Sequence, residues 1–257
     1  MVIMDPYTGE VVAMSGGVGE KTGNLVLNRA TDALRAPGSS FKPLAVYAPA
    51  IELGLITPST LVNDAPREEV EMSQNQWYPN NSDFKYRGII DIATGVRLSL
   101  NTVAAQVLDK LGLDASTNFL KNKLGITSLV PDDYNYASLA LGELTNGISV
   151  LEMAQAYCTF DNSGIFTEAR TYSRVTDAAG NIVLDNQPKT HVAMKSSTAT
   201  NITSLLFSAA NYGTGSESIF SGQAIAGKTG TSSYNWNRWF ASVGDTSPIT
   251  LTDIEVG

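Results

Sequence analysis

The sequence contains few of the residues on which common active sites depend. Its 257 residues include one cysteine, Cys158, and one histidine, His191. A single cysteine excludes an internal disulfide framework and a zinc site built from cysteines, and a single histidine excludes a metal site with several histidine ligands. A serine–histidine–aspartate triad would depend on His191 alone. We predict no metal and no other cofactor. Because a triad would depend on one histidine, we expect any serine nucleophile to use a different base.

Long apolar runs and positive charge are also scarce. No segment reaches the roughly 18 uninterrupted apolar residues of a membrane-spanning helix, and the first residues lack the basic region of a signal peptide. The formal net charge is −8, from 17 basic and 25 acidic side chains, which argues against a nucleic-acid partner. The apolar fraction of 43% is sufficient for a packed core. The first residues resemble the middle of a chain, so we expect either a cytosolic protein or a piece excised from a longer one.

Strand patterns lie at both ends of the chain, and helix patterns lie between them. Residues 1–4 and 10–14 flank a turn with proline and glycine, which predicts a β-hairpin. Residues 61–88 are predicted to form an irregular surface excursion. Further strands are predicted at 171–176, 181–184, 223–231, 239–243 and 249–256. Helices are predicted at 39–55, 89–98, 102–111, 149–159 and 196–212.

This order of elements predicts one α+β domain. Strands from both chain ends would form an antiparallel sheet flanked by helices, and a mostly helical subdomain would lie between them in the sequence. A cleft is expected between the sheet and that subdomain.

The first candidate for chemistry is a serine followed three residues later by a lysine, Ser39 and Lys42. A helix places two residues at this spacing on the same face. A serine hydroxyl is a poor nucleophile until a base removes its proton, and a lysine can act as that base when burial or nearby positive charge lowers its pKa. The alternative is that Ser39 caps a helix and that Lys42 is a solvated charge, since this spacing is frequent by chance.

The second candidate is Ser99-Leu100-Asn101, which lies between two predicted helices. Taken alone, it predicts the end of one helix and the start of the next, with Asn101 as the N-cap. Only its order relative to the other motifs gives it a functional interpretation.

The third candidate is residues 227–231, with the sequence G-K-T-G-T. Together with Gly222 it also matches the phosphate-binding pattern G-x-x-x-x-G-K-[ST]. That loop requires a buried strand before it and a helix after it. Residues 216–221 are a poor buried strand, and residues 232–237 show no helical periodicity. The flanks favour a strand that carries Lys228 at the edge of a cleft, and a nucleotide-binding protein remains the less favoured alternative.

The three motifs occur in the order S-x-x-K, S-x-N and K-T-G, a combination that is highly specific. Its relative, S-x-x-K with S-D-N and K-T-G, is the signature of penicillin-binding proteins and class A β-lactamases. Segments 5–14, 28–43, 139–157 and 213–215 resemble the transpeptidase domain of class A, bifunctional penicillin-binding proteins. The resemblance covers nearly the whole chain. It implies that residues 1–257 form one transpeptidase domain of a longer protein.

This resemblance implies a catalytic role for each residue of the first two motifs. Ser39 would attack the penultimate D-Ala carbonyl of a stem peptide, or the amide of a β-lactam, with Lys42 as its base. Ser99 would pass a proton to the leaving nitrogen. Asn101 would hold Lys42 and the substrate amide. This chemistry needs no histidine, in agreement with the composition.

The third motif is implied to bind the substrate. Lys228 would supply positive potential as a further catalytic residue, and the Thr229-Gly230-Thr231 stretch would bind substrate, with the two threonines on its carboxylate. The backbone N–H groups of Ser39 and Thr231 would form the oxyanion hole, in which one donor is worth about 3 kcal/mol.

The implied function is D,D-transpeptidation in peptidoglycan cross-linking, through a serine acyl-enzyme that β-lactams also form. The implied partners are stem peptides ending in D-Ala-D-Ala, β-lactam antibiotics and an upstream glycosyltransferase domain. The longer protein would act at the extracytoplasmic face of a bacterial membrane, and this segment would be soluble. Two alternatives remain: a D,D-carboxypeptidase or β-lactamase on the same fold, and a penicillin-binding or sensor module without turnover.

The glutamates between the second and third motifs bear on the β-lactamase alternative. Hydrolysis of an acyl-enzyme needs a base that activates water, and class A β-lactamases use a glutamate for it. Glu143 and Glu152 lie in stretches that match the transpeptidase pattern, and Glu168 and Glu217 lie in predicted turns. Since none has a context that would aim it at Ser39, the sequence predicts slow deacylation.

Overall fold

The structure is a computed structural model that describes residues 1–21, 23–72, 77–219, 223–244 and, for the backbone, 249–254. Strands and helices occur in groups along these segments. In chain order the strands are β1 (Val2–Met4), β2 (Val11–Met14), β3 (Leu61–Asp64), β4 (Gly88–Asp91), β5 (Ile165–Thr167), β6 (Arg174–Thr176), β7 (Ile182–Asp185), β8 (Thr190–Val192), β9 (Ile225–Thr231), β10 (Arg238–Gly244) and β11 (Ile249–Ile254). The α-helices are α1 (Ala48–Glu52), α2 (Ile92–Arg97), α3 (Asn101–Leu111), α4 (Leu113–Asn118), α5 (Tyr136–Leu141), α6 (Val150–Asp161) and α7 (Ser196–Tyr212).

The main sheet is assembled from both ends of the chain, as predicted. Its order in the described residues is β2-β1-β11-β10-β9, and each neighbouring pair is antiparallel. The predicted N-terminal hairpin is confirmed by the pairing of β1 with β2. The strands predicted at 223–231 and 239–243 are confirmed as β9 and β10, and the last predicted strand is present as β11, with 255 and 256 outside the described residues. Strand β9 lies at one edge of this sheet.

Helices α6 and α7 pack together and against the sheet, and they supply much of the core. The start of α6 is set by a capping box, in which Ser149 Oγ accepts a hydrogen bond from Glu152 N while the Glu152 carboxylate accepts one from Ser149 N. Both helices were predicted from periodicity and are confirmed; α7 has one buried stripe, and α6 is buried over most of its surface. Within the described residues, every helix is too short or too polar to traverse a lipid bilayer.

The segment predicted as a helix over 39–55 is helical but changes type along its length. It begins as a 3₁₀ turn at Gly38–Phe41, continues as a π-helical turn at Pro43–Tyr47 and ends as α1. Pro43 and Pro49 each lie in the first turn of their segment, where a proline costs no intrahelical hydrogen bond. Changing the helix type therefore allows one continuous buried segment to contain both prolines.

The prediction of a helix over 89–98 is wrong in its first part. Residues Gly88–Asp91 form β4, which pairs with β3, and α2 begins only at Ile92. The Asp91 carboxylate accepts a hydrogen bond from Thr94 N at 2.8 Å, and this N-cap sets the helix start. Short apolar runs do not distinguish a strand from a helix, so the partner strand decided the outcome.

The prediction that residues 61–88 form an irregular surface excursion is also wrong in part. The segment begins with β3, and its polar residues Asp64 and Asn81 are buried, with 0% and 2% exposure. Helices α4 and α5 lie in stretches for which no helix was predicted. With α3, they form the helical region that faces the sheet edge at β9.

Candidate active site

Ser39 lies on the tight 3₁₀ turn at Gly38–Phe41, between the sheet and the helical region. The two neighbouring serines have different environments. Ser40 is buried and donates a hydrogen bond to Pro37 O at 2.7 Å, whereas Ser39 is partly exposed. The Ser40 hydroxyl is therefore occupied by a hydrogen bond within the turn. The Ser39 hydroxyl makes no such bond and is accessible from the cleft. Ser39 also has no side-chain capping hydrogen bond, so the N-cap interpretation is wrong.

Two glycines allow other elements to approach this turn closely. A β-carbon on Gly230 would lie 2.1 Å from Pro37 O, and one on Gly142 would lie 2.1 Å from Gly38 O. Gly142 also has a positive φ of 73° and ends α5. Strand β9 and the end of α5 are therefore in backbone contact with the turn that carries Ser39, because neither glycine has a side chain.

Lys42 is buried with 0% exposure, which rules out the interpretation as a solvated charge. Its Nζ donates hydrogen bonds to Ser99 O at 2.9 Å and to Asn101 Oδ1 at 2.7 Å. Burial lowers the pKa of Lys42 well below its usual value, and the charge of Lys228 lowers it further. These effects favour a neutral amine, which is the form that can accept a proton.

Lys228 lies in the middle of β9 and is buried with 1% exposure. Its Nζ donates a hydrogen bond to Ser99 Oγ at 2.7 Å and one to Thr229 O at 3.1 Å. Burial lowers the pKa of Lys228 to about 7. Two buried lysines therefore contact the same serine from opposite elements, one through its carbonyl and one through its hydroxyl.

Ser99 adopts a left-handed backbone with φ of 58°. A residue other than glycine in this region stores strain, and such strain persists where the surroundings hold the residue in place. Here both lysines hold it, since Lys42 contacts its carbonyl and Lys228 contacts its hydroxyl. The strained backbone directs the two polar groups of one residue to two different partners.

Asn101 is the first residue of α3, and Leu100 occupies the N-cap position. The interpretation of Asn101 as the cap is therefore wrong. Its side chain instead connects two segments, since Oδ1 accepts a hydrogen bond from Lys42 and Nδ2 donates one to Asn80 O at 2.9 Å.

The predicted substrate-binding residues line up along β9. Thr231 is exposed at the end of the strand, and Thr229 is half-buried. The sequence analysis missed Thr214, whose hydroxyl lies 2.7 Å from the hydroxyl of Thr229. A signal for it was present, because Thr214 lies between two glycines in a segment that resembles the family pattern.

The nucleotide-binding pattern does not have its required structure here. Lys228 lies within a continuous strand, not in a loop between a strand and a helix. The first glycine of the pattern, Gly222, lies outside the described residues.

Three of the four glutamates considered for deacylation have structural partners in the described residues, and the fourth, Glu217, lies in a short 3₁₀ turn at Ser216–Ser218. Glu143 accepts a hydrogen bond from Ser233 N at 2.8 Å. Glu152 belongs to the capping box of α6, and Glu168 pairs with Lys189 at 3.3 Å on the surface.

Comparison with solved structures shows the class of domain to which this fold corresponds. The D,D-transpeptidase domain of a peptidoglycan glycosyltransferase from Eggerthella lenta has the same fold, with a TM-score of 0.82 at 21% identity, over 100% of this chain and 73% of that chain. Penicillin-binding protein 1A from Haemophilus influenzae aligns with a TM-score of 0.81 at 25% identity, over 97% of this chain and 42% of that one. The predicted α+β fold is confirmed as that of penicillin-binding transpeptidase domains.

Sequence comparison identifies the family. The sequence model described as "Penicillin binding protein transpeptidase domain" matches residues 1–243. Penicillin-binding protein 1A of Clostridium acetobutylicum is 37% identical over 249 residues, and Penicillin-binding protein 4 of Bacillus subtilis is 34% identical over 245 residues. The chain belongs to the penicillin-binding protein transpeptidase domain family, a family of serine acyltransferases. The two matches include 94% and 95% of this chain. The chain spans only 30% and 38% of the lengths of these two relatives.

Proposed function

We propose that this domain is a D,D-transpeptidase that cross-links peptidoglycan stem peptides through an acyl-enzyme on Ser39. The observation that carries the proposal is the environment of Lys42. This lysine is three residues from Ser39, is fully buried and is hydrogen-bonded to both Ser99 and Asn101. A buried lysine beside a second buried lysine is disfavoured as an ammonium, so it is suited to remove a proton from a serine.

Acylation would begin when Lys42 takes the Ser39 proton and Ser39 Oγ attacks the carbonyl carbon of the penultimate D-Ala. The carbonyl oxygen becomes an oxyanion, and the backbone N–H groups of Ser39 and Thr231 would stabilise it. The contact between the two backbones supports this arrangement, since a β-carbon on Gly38 would lie 2.8 Å from Thr231 N. In the described structure Lys42 does not hydrogen-bond to Ser39, and catalytic hydrogen bonds often tighten only when substrate binds.

Expulsion of the terminal D-Ala requires a proton on its nitrogen. Ser99 would donate that proton, because its Oγ accepts a hydrogen bond from Lys228 and its own O–H is then available as a donor. Lys42 then passes the proton that it took from Ser39 to Ser99 Oγ, which restores the Ser99 hydroxyl. The amine of a second stem peptide then attacks the ester carbonyl, the bond to Ser39 Oγ breaks, and the proton lost by the amine nitrogen returns to Ser39 Oγ.

Strand β9 is an edge strand of the sheet in the described residues, and this supports binding of an extended peptide, since edge strands offer backbone groups for pairing. Thr229 and Thr231, with Lys228 beneath them, would hold the terminal carboxylate of the donor peptide. A β-lactam, with its own carboxylate and strained amide, would occupy the same place.

The direct test is covalent labelling with a fluorescent penicillin followed by peptide mapping. We expect one adduct on Ser39, loss of labelling in Ser39→Ala, and a nearly unchanged melting temperature, since this hydroxyl contributes little to packing. Ser40→Ala is the matched control, and it should still be labelled. A label on Ser40 would overturn the assignment. Release of D-Ala from a stem peptide, with and without an amine acceptor, then separates transfer from hydrolysis.

A second measurement distinguishes a transpeptidase from a β-lactamase. Glu143 and Glu152 have structural partners, and we expect no efficient base for hydrolysis of the acyl-enzyme. After excess penicillin is removed, the intact mass should show the adduct for hours. Rapid return to the free mass, with many turnovers per molecule, would favour the β-lactamase alternative.

We also propose that the domain is part of a bifunctional protein with an upstream glycosyltransferase domain at the extracytoplasmic face of the membrane. Support comes from the relatives, since the chain spans about a third of Penicillin-binding protein 1A of Clostridium acetobutylicum. Glycan polymerisation by the protein encoded by the complete gene would test this proposal.

A further inference from the structure

Asn81 lies behind the candidate active site and caps α3 from another segment. It is buried with 2% exposure. Its Oδ1 accepts hydrogen bonds from Asn101 N at 2.9 Å and from Thr102 N at 3.3 Å. The N-cap residue of this helix, Leu100, has an apolar side chain that is buried at 3% exposure. Because Leu100 packs in the core, the free N–H groups of the first turn need an acceptor from elsewhere.

The orientation of the Asn81 amide is set by its partners. Its Nδ2 donates to Asp64 Oδ1 at 2.7 Å and to Lys85 O at 2.9 Å, both of which can only accept. The groups that face its Oδ1 are the N–H groups of Asn101 and Thr102, which can only donate, and the Thr102 hydroxyl at 3.2 Å. A flipped amide would place donor against donor and acceptor against acceptor, so one orientation alone satisfies every partner.

Asp64 is a buried carboxylate with 0% exposure, and donors surround it. Besides Asn81, it accepts hydrogen bonds from Thr102 Oγ1 at 2.6 Å and from Arg87 N at 2.9 Å, and the Arg87 guanidinium lies 3.8 Å away. Burial of a carboxylate is costly unless it is hydrogen-bonded in this way. A single polar N-cap would start α3 at a lower cost, so this network does more than begin a helix.

The network connects directly to the proposed base. Asn80 O accepts a hydrogen bond from Asn101 Nδ2 at 2.9 Å, while Asn81 binds Asn101 N. The pair therefore holds Asn101 by its backbone and by its side chain. Its remaining group, Oδ1, is then directed to Lys42 Nζ at 2.7 Å.

We propose that Asn81, oriented by Asp64, is a positioning residue for acylation. It holds Asn101 so that the amide oxygen meets Lys42, and it holds the strained Ser99 turn that precedes α3. The proposal rests on the proposed function, in which Lys42 is the base for Ser39. Small displacements of a positioned group reduce rates strongly, by up to about a hundredfold for 1 Å.

The test is the dependence of the acylation rate on nitrocefin concentration, measured well below the melting temperature. We expect Asn81→Ala to lower the maximal acylation rate about tenfold to a hundredfold, more than it raises the half-saturating concentration. The matched control is Asn162→Ala. Asn162 is also a buried asparagine, with 8% exposure, but it donates to Pro6 O and Thr167 Oγ1 instead. The control should lose stability yet keep its maximal rate within about twofold.

A milder pair of variants tests the same network if Asn81→Ala does not fold. Thr102→Val keeps the side-chain shape but removes the hydrogen bond to Asp64, and Thr102→Ser keeps the hydroxyl. We expect about a threefold or larger loss of maximal rate in Thr102→Val and recovery in Thr102→Ser.

The outcomes separate the two proposals. Normal labelling of the unmodified domain, with equal maximal rates in Asn81→Ala, Thr102→Val and the control, overturns the positioning role alone. An effect confined to the half-saturating concentration also overturns it. Absence of Ser39 labelling in the unmodified domain overturns the proposed function and this inference with it.

Discussion

The cleft and the β6–β7 hairpin show opposite relations between polarity and burial. In the cleft, Lys42 and Lys228 have exposures of 0% and 1%. In the hairpin, the apolar residues Ile182, Val183 and Leu184 are 56%, 59% and 50% exposed. Lysine is almost never fully buried unless it is paired, whereas apolar atoms make up much of the surface of any folded protein. The buried lysines of the cleft therefore require an explanation.

The comparison shows that the cleft lowers the free energy of unfolding, because it buries the groups that the reaction needs. Each buried lysine loses its hydration, and hydrogen bonds to Ser99 and Asn101 offset only part of that loss. The exposed hairpin residues contribute little to stability, because most of their apolar surface remains in water. Substitutions in the cleft should therefore change the reaction or the pH dependence, whereas substitutions in the hairpin should change neither.

The largest effect is expected from Lys42→Arg. Arginine does not release its proton at accessible pH, so we expect acylation to fall by about three orders of magnitude or more. The control is Lys189→Arg, at a lysine that pairs with Glu168 on the surface and has 70% side-chain exposure. Stopped-flow measurement with nitrocefin gives both rates. Near-normal acylation in Lys42→Arg would mean that Lys42 is not the base.

Two glycines, one in each region, allow the effect of a substitution on the backbone to be compared. Gly142 near the cleft and Gly180 in the hairpin turn both have positive φ, at 73° and 86°. A β-carbon on Gly142 would lie 2.1 Å from Gly38 O, whereas one on Gly180 meets nothing within 4 Å. Alanine at either site costs about 1–2 kcal/mol of backbone strain. We expect Gly142→Ala to cost about 1–3 kcal/mol more.

Urea unfolding of both variants measures this difference, and equal losses would show that the contact around Gly142 relaxes without cost. The same preparations serve for acylation. Gly142→Ala should acylate more slowly because the displaced turn carries Ser39, and Gly180→Ala should not.

The pH dependence of stability tests the burial of Lys228. Its pKa is about 7 in the folded domain and about 10.4 in an unfolded chain. Between these values the unfolded chain holds a proton that the folded domain has released, so stability rises with pH, by up to about 1.4 kcal/mol per pH unit. Below pH 7 both states are protonated, and this contribution no longer changes.

Lys228→Met removes that contribution. Between pH 7 and 9.5, its free energy of unfolding should rise less steeply than that of the unmodified domain. Lys189→Met, at the exposed lysine, should leave the slope unchanged. Parallel curves for Lys228→Met and the unmodified domain would contradict the burial of a titrating amine at this position.

The smallest effect is expected in the hairpin. Val183→Thr should change the free energy of unfolding by less than about 0.5 kcal/mol and leave acylation unchanged. The same substitution at Val103, which is fully buried in α3, should cost about 1–3 kcal/mol because it buries a hydroxyl. Similar losses at the two sites would contradict the exposure of Val183 in the hairpin.

Prediction from the sequence succeeded where local patterns and the order of elements decide the structure, and it failed at β4, where a partner strand decides it. The hairpin at the start of the chain and helices α3, α6 and α7 follow from turn residues and periodicity, and the structure confirms them. Strand β4 was predicted as part of a helix, because its apolar residues fit either pattern and only its partner β3 distinguishes them. The roles of the site residues remain predictions until labelling tests them.

By itself, the sequence determined the family and the fold class, because three short motifs in a specific order and strands at both ends are properties of the linear chain. Only the tertiary structure decided the burial and the hydrogen bonds of the two lysines and of the network that holds Asn101. Lys42 reaches Ser99 across 57 residues, and Asn81 reaches Asn101 across 20. Burial and hydrogen bonds of this kind depend on which distant segments meet, and no local pattern encodes that meeting.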